Sequence, residues 1–187
     1  MPAYNLDQSY TTGQDNSEGG LIGLLRIAAD NTQIIGQSFT PTLSGKLDRF
    51  ECYLKKLGSP TGNIWVEIHA DGADPSAAAQ QGSDSATVDI STIGSGGYAY
   101  VAFDFAAPIE LTPGVEYWAL LYGDNAYGTT NSVFWGADTS SPSYANGIAG
   151  RYGNGSAAWE DIASYDQLFK QYSDDPPAAG GFFHMSV

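Results

Sequence analysis

The chain has 187 residues, and its 7 Lys and Arg against 21 Asp and Glu give a formal net charge of −14. A chain of this length buries about two thirds of its unfolded surface in one domain, so it needs neither a metal nor a disulfide to fold. The negative charge argues against nucleic acid and anionic membranes as partners, because both attract proteins through Lys and Arg.

The composition predicts strands rather than helices. The chain contains 23 Gly, 9 Pro and 12 Tyr but only 2 Met. Aromatic side chains suit a pleated, half-buried surface. Short alternating runs separated by turn residues every 8 to 15 residues or so are typical of a sandwich or barrel. We therefore predict one all-β domain over residues 1–187.

Residues 1–32 are predicted to hold the first strand. Segment 11–20 is polar and rich in Gly, which favours an exposed loop, and 21–29 is apolar again. The apolar stretch is far shorter than the roughly 20 residues of a membrane span, so we expect no membrane insertion. Segment 1–20 either leads into an ordinary strand or forms an assembly arm that packs on a neighbouring subunit.

Five runs are the clearest predicted strands. In the second, Ile64, Val66 and Ile68 alternate with polar or amphipathic residues, so one side faces a core. The fourth is apolar or aromatic at nearly every position, which predicts a central strand covered on both faces. The runs are 49–55, 64–69, 101–105, 115–122 and 131–135.

Turn chemistry separates these runs. Segment 58–63 has the sequence GSPTGN, which predicts a hairpin loop between its two flanking strands. Segment 136–160 is long and rich in Gly and Ser, which predicts a surface loop at one end of the sandwich.

Several short motifs resemble a family of jelly-roll β-sandwich modules found in extracellular and cell-surface proteins and in phage virion proteins. The motifs are QSFT at 37–40, YLKK at 53–56, GSPTGN at 58–63, VEI at 66–68, PIELTPG at 108–114, EYW at 116–118 and DQLFK at 166–170. The resemblance implies a jelly roll of about eight to ten antiparallel strands, similar in fold to carbohydrate-binding modules. Fold alone does not imply function.

The resemblance implies a non-catalytic structural or adhesive module. Members of the family sit in long secreted chains, whereas residues 1–8 here lack the features of a secretory signal. Assembly inside a cell into a phage particle would bring such a module outside. We therefore expect a virion surface component, a head decoration or tail protein, with other virion proteins and copies of itself as partners. The alternative is a carbohydrate-binding module that belongs to a secreted or cell-surface system. Such a module would be extracellular and would bind a glycan.

Motifs for enzyme chemistry are missing from the sequence. It contains no nucleophile elbow, phosphate-binding loop or zinc motif. The only histidines are His69 and His184, and His69 lies across the alternation from the apolar side, which predicts a surface or edge position. We do not expect an enzyme.

Basic residues are unevenly placed, because segment 57–150 has no Lys or Arg. The acidic loops of this segment either keep the particle soluble or make the module negative on one side and basic on another. In the second case the early basic residues dock against an acidic assembly. The docking candidates are Lys46, Arg49, Lys55 and Lys56.

Aromatic and amide side chains cluster in and around segment 136–160. Such a mixture suits core packing, a protein interface or a sugar platform, and the sequence leaves the three open. The candidates are Tyr127, Trp135, Tyr144, Tyr152, Trp159, Asn146 and Asn154.

Calcium is the ion expected from the resemblance, in which jelly-roll modules use it as a structural staple. The candidate ligands are Asp71, Asp74 and Asp166, because calcium prefers carboxylate and carbonyl oxygens. The alternative is that these aspartates cap turns and backbone amides. No cofactor is required by this prediction.

Overall fold

The computed structural model describes residues 5–15, 24–25, 27–28, 31–32, 34–124, 131–152 and 158–174. Strands dominate them, and every pairing between strands is antiparallel. The strands are β1 Asn5–Tyr10, β2 Leu24–Leu25, β3 Ile27–Ala28, β4 Asn31–Thr32, β5 Ile34–Phe39, β6 Lys46–Leu57, β7 Asn63–Ala70, β8 Val88–Asp89, β9 Ala99–Glu110, β10 Tyr117–Gly123, β11 Ser132–Trp135, β12 Ala137–Asp138, β13 Ala149–Tyr152, β14 Trp159–Ile162, β15 Asp166–Gln167 and β16 Phe169–Ser173. Two short 3-10 turns complete the described elements, at Pro75–Ala77 and Ile90–Thr92.

Two large sheets form a sandwich. In the first sheet β9 pairs with one edge of the long strand β6, and both β16 and β11 pair with its other edge. Strand β1 then pairs with β16, and β2 pairs with β11. The second sheet has the order β14-β13-β5-β10-β7-β8. Successive long strands from β5 to β11 alternate between the sheets, as they do in jelly rolls. The predicted all-β antiparallel sandwich is confirmed.

All five predicted strands are confirmed as β6, β7, β9, β10 and β11. In β7 the alternating Ile64, Val66 and Ile68 are fully buried between the sheets. Strand β10 lies between β5 and β7 and buries both faces, as its apolar run predicts; Leu120 and Leu121 are both 0% exposed.

Aromatic rings fill the space between the sheets. Phe50 of the first sheet stacks on Phe169 with ring centroids 5.3 Å apart, and it contacts Phe39 of the second sheet at 5.7 Å. Trp135 meets Phe50 edge-on at 6.3 Å and donates from its indole to the carbonyl of Leu168. Trp135 is 0% exposed, so of the three roles that the sequence left open it has core packing, and as a surface contact candidate it is excluded.

Segment 58–62 crosses between the sheets, because β6 belongs to the first sheet and β7 to the second. The hairpin predicted there is wrong. The predicted turn residues do turn the chain, since Gly58 and Gly62 have φ of 70° and 109°, a region of backbone conformation that favours glycine. A sharp turn serves a crossing between sheets as well as a hairpin.

The long surface loop predicted over 136–160 is also wrong. This segment contains β12, β13 and the first residues of β14, and Ala137 and Ala149 are 0% exposed. Its glycines serve close packing as well as turning, because Gly150 lies inside β13 beneath two indole rings. Glycine within a strand commonly marks such a close approach.

The N-terminal strand β1 pairs with β16 at the edge of the first sheet. Beyond it, Asp15 accepts hydrogen bonds from the amide and hydroxyl of Thr139, so residues 11–15 lie against the strand β12 region. The predicted exposed loop over 11–20 and assembly arm over 1–20 extend into residues 16–20, which lie outside the described residues. Among the described residues, no helix is long and apolar enough to cross a membrane.

Candidate binding face

A row of apolar side chains crosses the outer face of the second sheet. The strand register aligns Trp65 with Tyr122, and Tyr152 with both Ile34 and Trp159. The β5–β10 register ends at the pair Leu121 and Ile35, so Ile34 and Tyr122 are the next residues along the two strands, and Tyr122 packs against the cluster that contains Ile34. This completes the row across five strands. Trp65 stacks on Tyr122, with centroids 6.0 Å apart and planes at 11°. We call these five residues the aromatic row.

Two glycines let the indole rings lie close to the sheet. Gly36 and Gly150 are register partners at the centre of the face. A Cβ on Gly150 would lie 2.5 Å from Trp159 and 2.9 Å from Trp118, and one on Gly36 would lie 2.6 Å from Leu120. Trp118 and Trp159 meet edge-to-face at 5.0 Å over this glycine pair. Any larger residue would lift the rings away from the sheet.

Each of the three tryptophans on this face donates its indole N–H to a carboxylate. The pairs are Trp65 to Glu67 at 2.9 Å, Trp118 to Asp71 at 2.9 Å, and Trp159 to Asp161 at 2.8 Å. The carboxylates therefore fix the ring planes and place negative charge beside them. We call the aromatic row, Trp118 and these three carboxylates the acidic aromatic face.

His69 lies at one edge of this face, which is one of the two predicted positions, and its side chain is buried with 5% exposure. Its Nε2 is 3.0 Å from Oε2 of Glu67, and its Nδ1 is 3.1 Å from the carbonyl oxygen of Ala78. Burial raises the pKa of Glu67, but the hydrogen bonds from His69 and Trp65 outweigh it and the net pKa is lowered. Glu67 is therefore held as a carboxylate.

The face carries a negative field. Burial raises the pKa of the Tyr122 hydroxyl, and the charges of Glu67, Asp74 and Asp84 raise it further. Burial is the larger cause of this shift, and the smaller part comes from carboxylates near Tyr122, because a phenol loses its proton less readily beside negative charge.

The predicted aromatic and amide candidates divide into separate places. Tyr152 and Trp159 lie half-buried on the acidic aromatic face. Tyr144 packs edge-on against Phe169 at 5.2 Å, and Asn146 is exposed with its Nδ2 3.4 Å from Oε1 of Gln8. Tyr127 and Asn154 lie outside the described residues.

Two tryptophans of the face, Trp65 and Trp118, were not among the residues that the sequence predicted to bind a ligand. The alternation of β7 carried a signal for Trp65, which points away from the buried Ile64 and Val66. No comparable signal existed for Trp118, because its strand is apolar on both sides.

The predicted docking residues all lie on β6 and already have partners within the chain. Lys46 pairs with Glu110 at 2.9 Å, and Arg49 with Asp104 at 2.6 Å. Lys56 donates to the carbonyl of Ser91, and Nζ of Lys55 is 6.0 Å from the ring of Tyr98.

Tyrosines surround these cations on the outer side of the first sheet. Tyr53 lies 5.5 Å from Tyr98 and 4.8 Å from Tyr100, and Nζ of Lys170 sits 3.8 Å from the Tyr100 ring centroid. Burial raises the pKa of Tyr100 to about 12. We call Tyr53, Tyr98, Tyr100, Tyr172 and Lys170 the tyrosine face.

The aspartates predicted to bind calcium each make a hydrogen bond within the chain. Asp71 accepts from Trp118, Asp74 accepts from the backbone amide of Ser76 at 3.1 Å, and Asp166 accepts from the amide of Tyr144 at 2.9 Å. Burial raises the pKa of Asp166. Within the described ranges no group of three or more acidic, His or Cys side chains could hold a metal ion. The alternative, in which these aspartates cap turns and backbone amides, describes the contacts of Asp74 and Asp166, whereas Asp71 accepts from an indole.

Comparison of the chain with known protein families, curated proteins and solved structures finds no match.

Proposed function

We propose that this protein is a non-catalytic adhesive module that binds carbohydrate through the acidic aromatic face. The observation that carries the proposal is the aromatic row, which crosses five strands on one outer face. Sugars present apolar faces that stack on aromatic rings, and carboxylates accept hydrogen bonds from their hydroxyls.

The size of the row favours an extended ligand. Four spacings of about 4.8 Å between neighbouring strands give a row about 19 Å long. That length suits an oligosaccharide running across the strands better than a single sugar. Trp65 and Trp159 stand at its two ends, so each is expected to contact a different part of the chain of sugars.

The test is binding of neutral hexasaccharides to the wild type and to Trp65→Ala and Trp159→Ala, measured by titration calorimetry. Each substitution is expected to weaken binding about tenfold or more, which corresponds to roughly 1.4 kcal/mol of lost stacking. Tyr172→Ala removes a ring from the opposite sheet and should leave binding unchanged. A wild type that binds no hexasaccharide, or tryptophan variants that bind as it does, would refute the proposal.

We also propose where the module acts. It lies on the surface of a phage particle, where it is attached to other virion proteins. This location is supported by the family resemblance and by the tyrosine face, since tyrosine is enriched in protein interfaces. The double variant Lys55→Glu/Lys56→Glu reverses two charges beside that face and should abolish co-sedimentation with particles. Arg151→Glu, on the second sheet, is the matched control. Unchanged attachment of the double variant would contradict this docking mode.

A further inference from the structure

We propose that the acidic aromatic face selects sugars that carry a protonated amine, such as glucosamine oligomers, over neutral sugars and against anionic ones. The inference rests on the proposed carbohydrate function and names the ligand class within it.

The face presents hydrogen-bond acceptors and few donors. The indole N–H groups of Trp65, Trp118 and Trp159 are already donated to carboxylates. The remaining lone pairs of those carboxylates can accept from a ligand. A ligand that fits must therefore bring donors, and a protonated amine brings three of them with a positive charge.

Negative charge is concentrated at the aromatic row. Asp71 and Asp161 are exposed, Glu67 is half-buried, and Asp74 and Asp84 also act on Tyr122. A cation close to an aromatic ring is attracted by the ring itself, by about 0.5–1 kcal/mol at an exposed site. The rings and the carboxylates thus favour the same kind of ligand.

The Lys and Arg side chains of the described residues lie elsewhere, and the one described histidine, His69, lies at the edge of the face with its Nε2 3.0 Å from Glu67. Strands β7 and β10 fall within residues 57–150, which contain no Lys or Arg. Arg151 belongs to β13, but it follows Gly150 and so projects to the other side of that strand, where it pairs with Glu160 at 2.7 Å. The other described Lys and Arg residues are on β6 and β16 of the first sheet. An anionic sugar would meet carboxylates on the acidic aromatic face with no Lys or Arg beside them.

The experiment compares three ligands of equal length by titration calorimetry at low salt and mildly acidic pH: a glucosamine hexamer, its N-acetylated counterpart and a galacturonate hexamer. The glucosamine hexamer is expected to bind about tenfold tighter than the N-acetylated one, and the galacturonate hexamer not measurably. The preference should shrink at high salt, because salt screens exposed charges.

Two charge-removing variants test the mechanism. Glu67→Gln and Asp161→Asn keep an oxygen that can accept from the neighbouring indole but lose the negative charge. Each should reduce the preference for the glucosamine hexamer over the N-acetylated hexamer severalfold, because the lost charge weakens binding of the protonated amine more than that of the neutral sugar. Glu110→Gln removes the same charge from the first sheet and should leave the preference unchanged.

The outcomes separate the two proposals. The proposed selectivity would be overturned if the glucosamine and N-acetylated hexamers bound equally, or if galacturonate bound as tightly as glucosamine. It would also be overturned if the two variants kept the whole preference for glucosamine over the N-acetylated sugar. In each case carbohydrate binding itself would still be supported. If no hexamer binds, both proposals fail. An oligolysine peptide that binds while every sugar fails would make the face a site for basic protein segments instead.

Discussion

Truncation of Phe50 to Ala is expected to lower the free energy of unfolding by about 3–5 kcal/mol, the usual cost of deleting a buried aromatic ring. Phe50 is 0% exposed and contacts rings from both sheets: it stacks on Phe169 at 5.3 Å and meets Phe39 at 5.7 Å and Trp135 at 6.3 Å. Its removal leaves a cavity at the centre of the sandwich. Urea denaturation followed by tryptophan fluorescence measures the change.

Leu6→Ala is the control, because Leu6 on the edge strand β1 is 52% exposed. A surface substitution of this kind should change stability by less than about 0.5 kcal/mol. Equal effects of Phe50→Ala and Leu6→Ala would show that the two sheets do not pack through Phe50 in solution.

Gly150→Ala is expected to destabilise the protein by about 1–3 kcal/mol and also to weaken glycan binding, since overpacking forces neighbouring side chains to move. The new methyl group would lie 2.5 Å from Cζ2 of Trp159 and 2.9 Å from Cη2 of Trp118. One ring must move, which breaks the edge-to-face contact and displaces the end of the aromatic row. Thermal melting and titration with the hexasaccharide that binds wild type measure the two effects.

Gly96→Ala is the matched control, because a Cβ at Gly96 would have no atom within 4 Å. Its melting temperature and glycan affinity should match those of the wild type. If Gly150→Ala binds glycan as tightly as the wild type does, the position of the Trp159 ring does not matter for recognition. Trp159 would then not be part of the glycan-binding site.

Local patterns predicted the strands well, because burial imposes a period of two on a strand with one face in a core. The alternation of Ile64, Val66 and Ile68 identified β7, and the continuous apolar run at 115–122 identified the central strand β10. In both cases the residues that carry the signal are neighbours in the sequence. The sandwich class followed from these strands and from the turn residues between them.

Local patterns failed where one residue type serves two physical purposes. Glycine in a sequence indicates a turn, and Gly58 and Gly62 do lie in a turn. Gly36 and Gly150 instead lie within strands, where the missing side chain leaves room for indole rings. Likewise an aromatic ring near a polar segment suits a surface platform, yet Trp135 lies in the core. The role of such a glycine or aromatic residue depends on which side chains pack against it in the folded protein.

By itself the sequence determined that the chain is rich in strands, acidic, and without basic residues over 57–150. The tertiary structure decided where that acidity acts. Pairing of β7, β10, β5, β13 and β14 places Trp65, Trp118 and Trp159 on one face, each beside a carboxylate. These tryptophans are far apart in the chain, and the register that aligns them depends on the packing of the whole sandwich. The acidic aromatic face is therefore a property of the folded sheet.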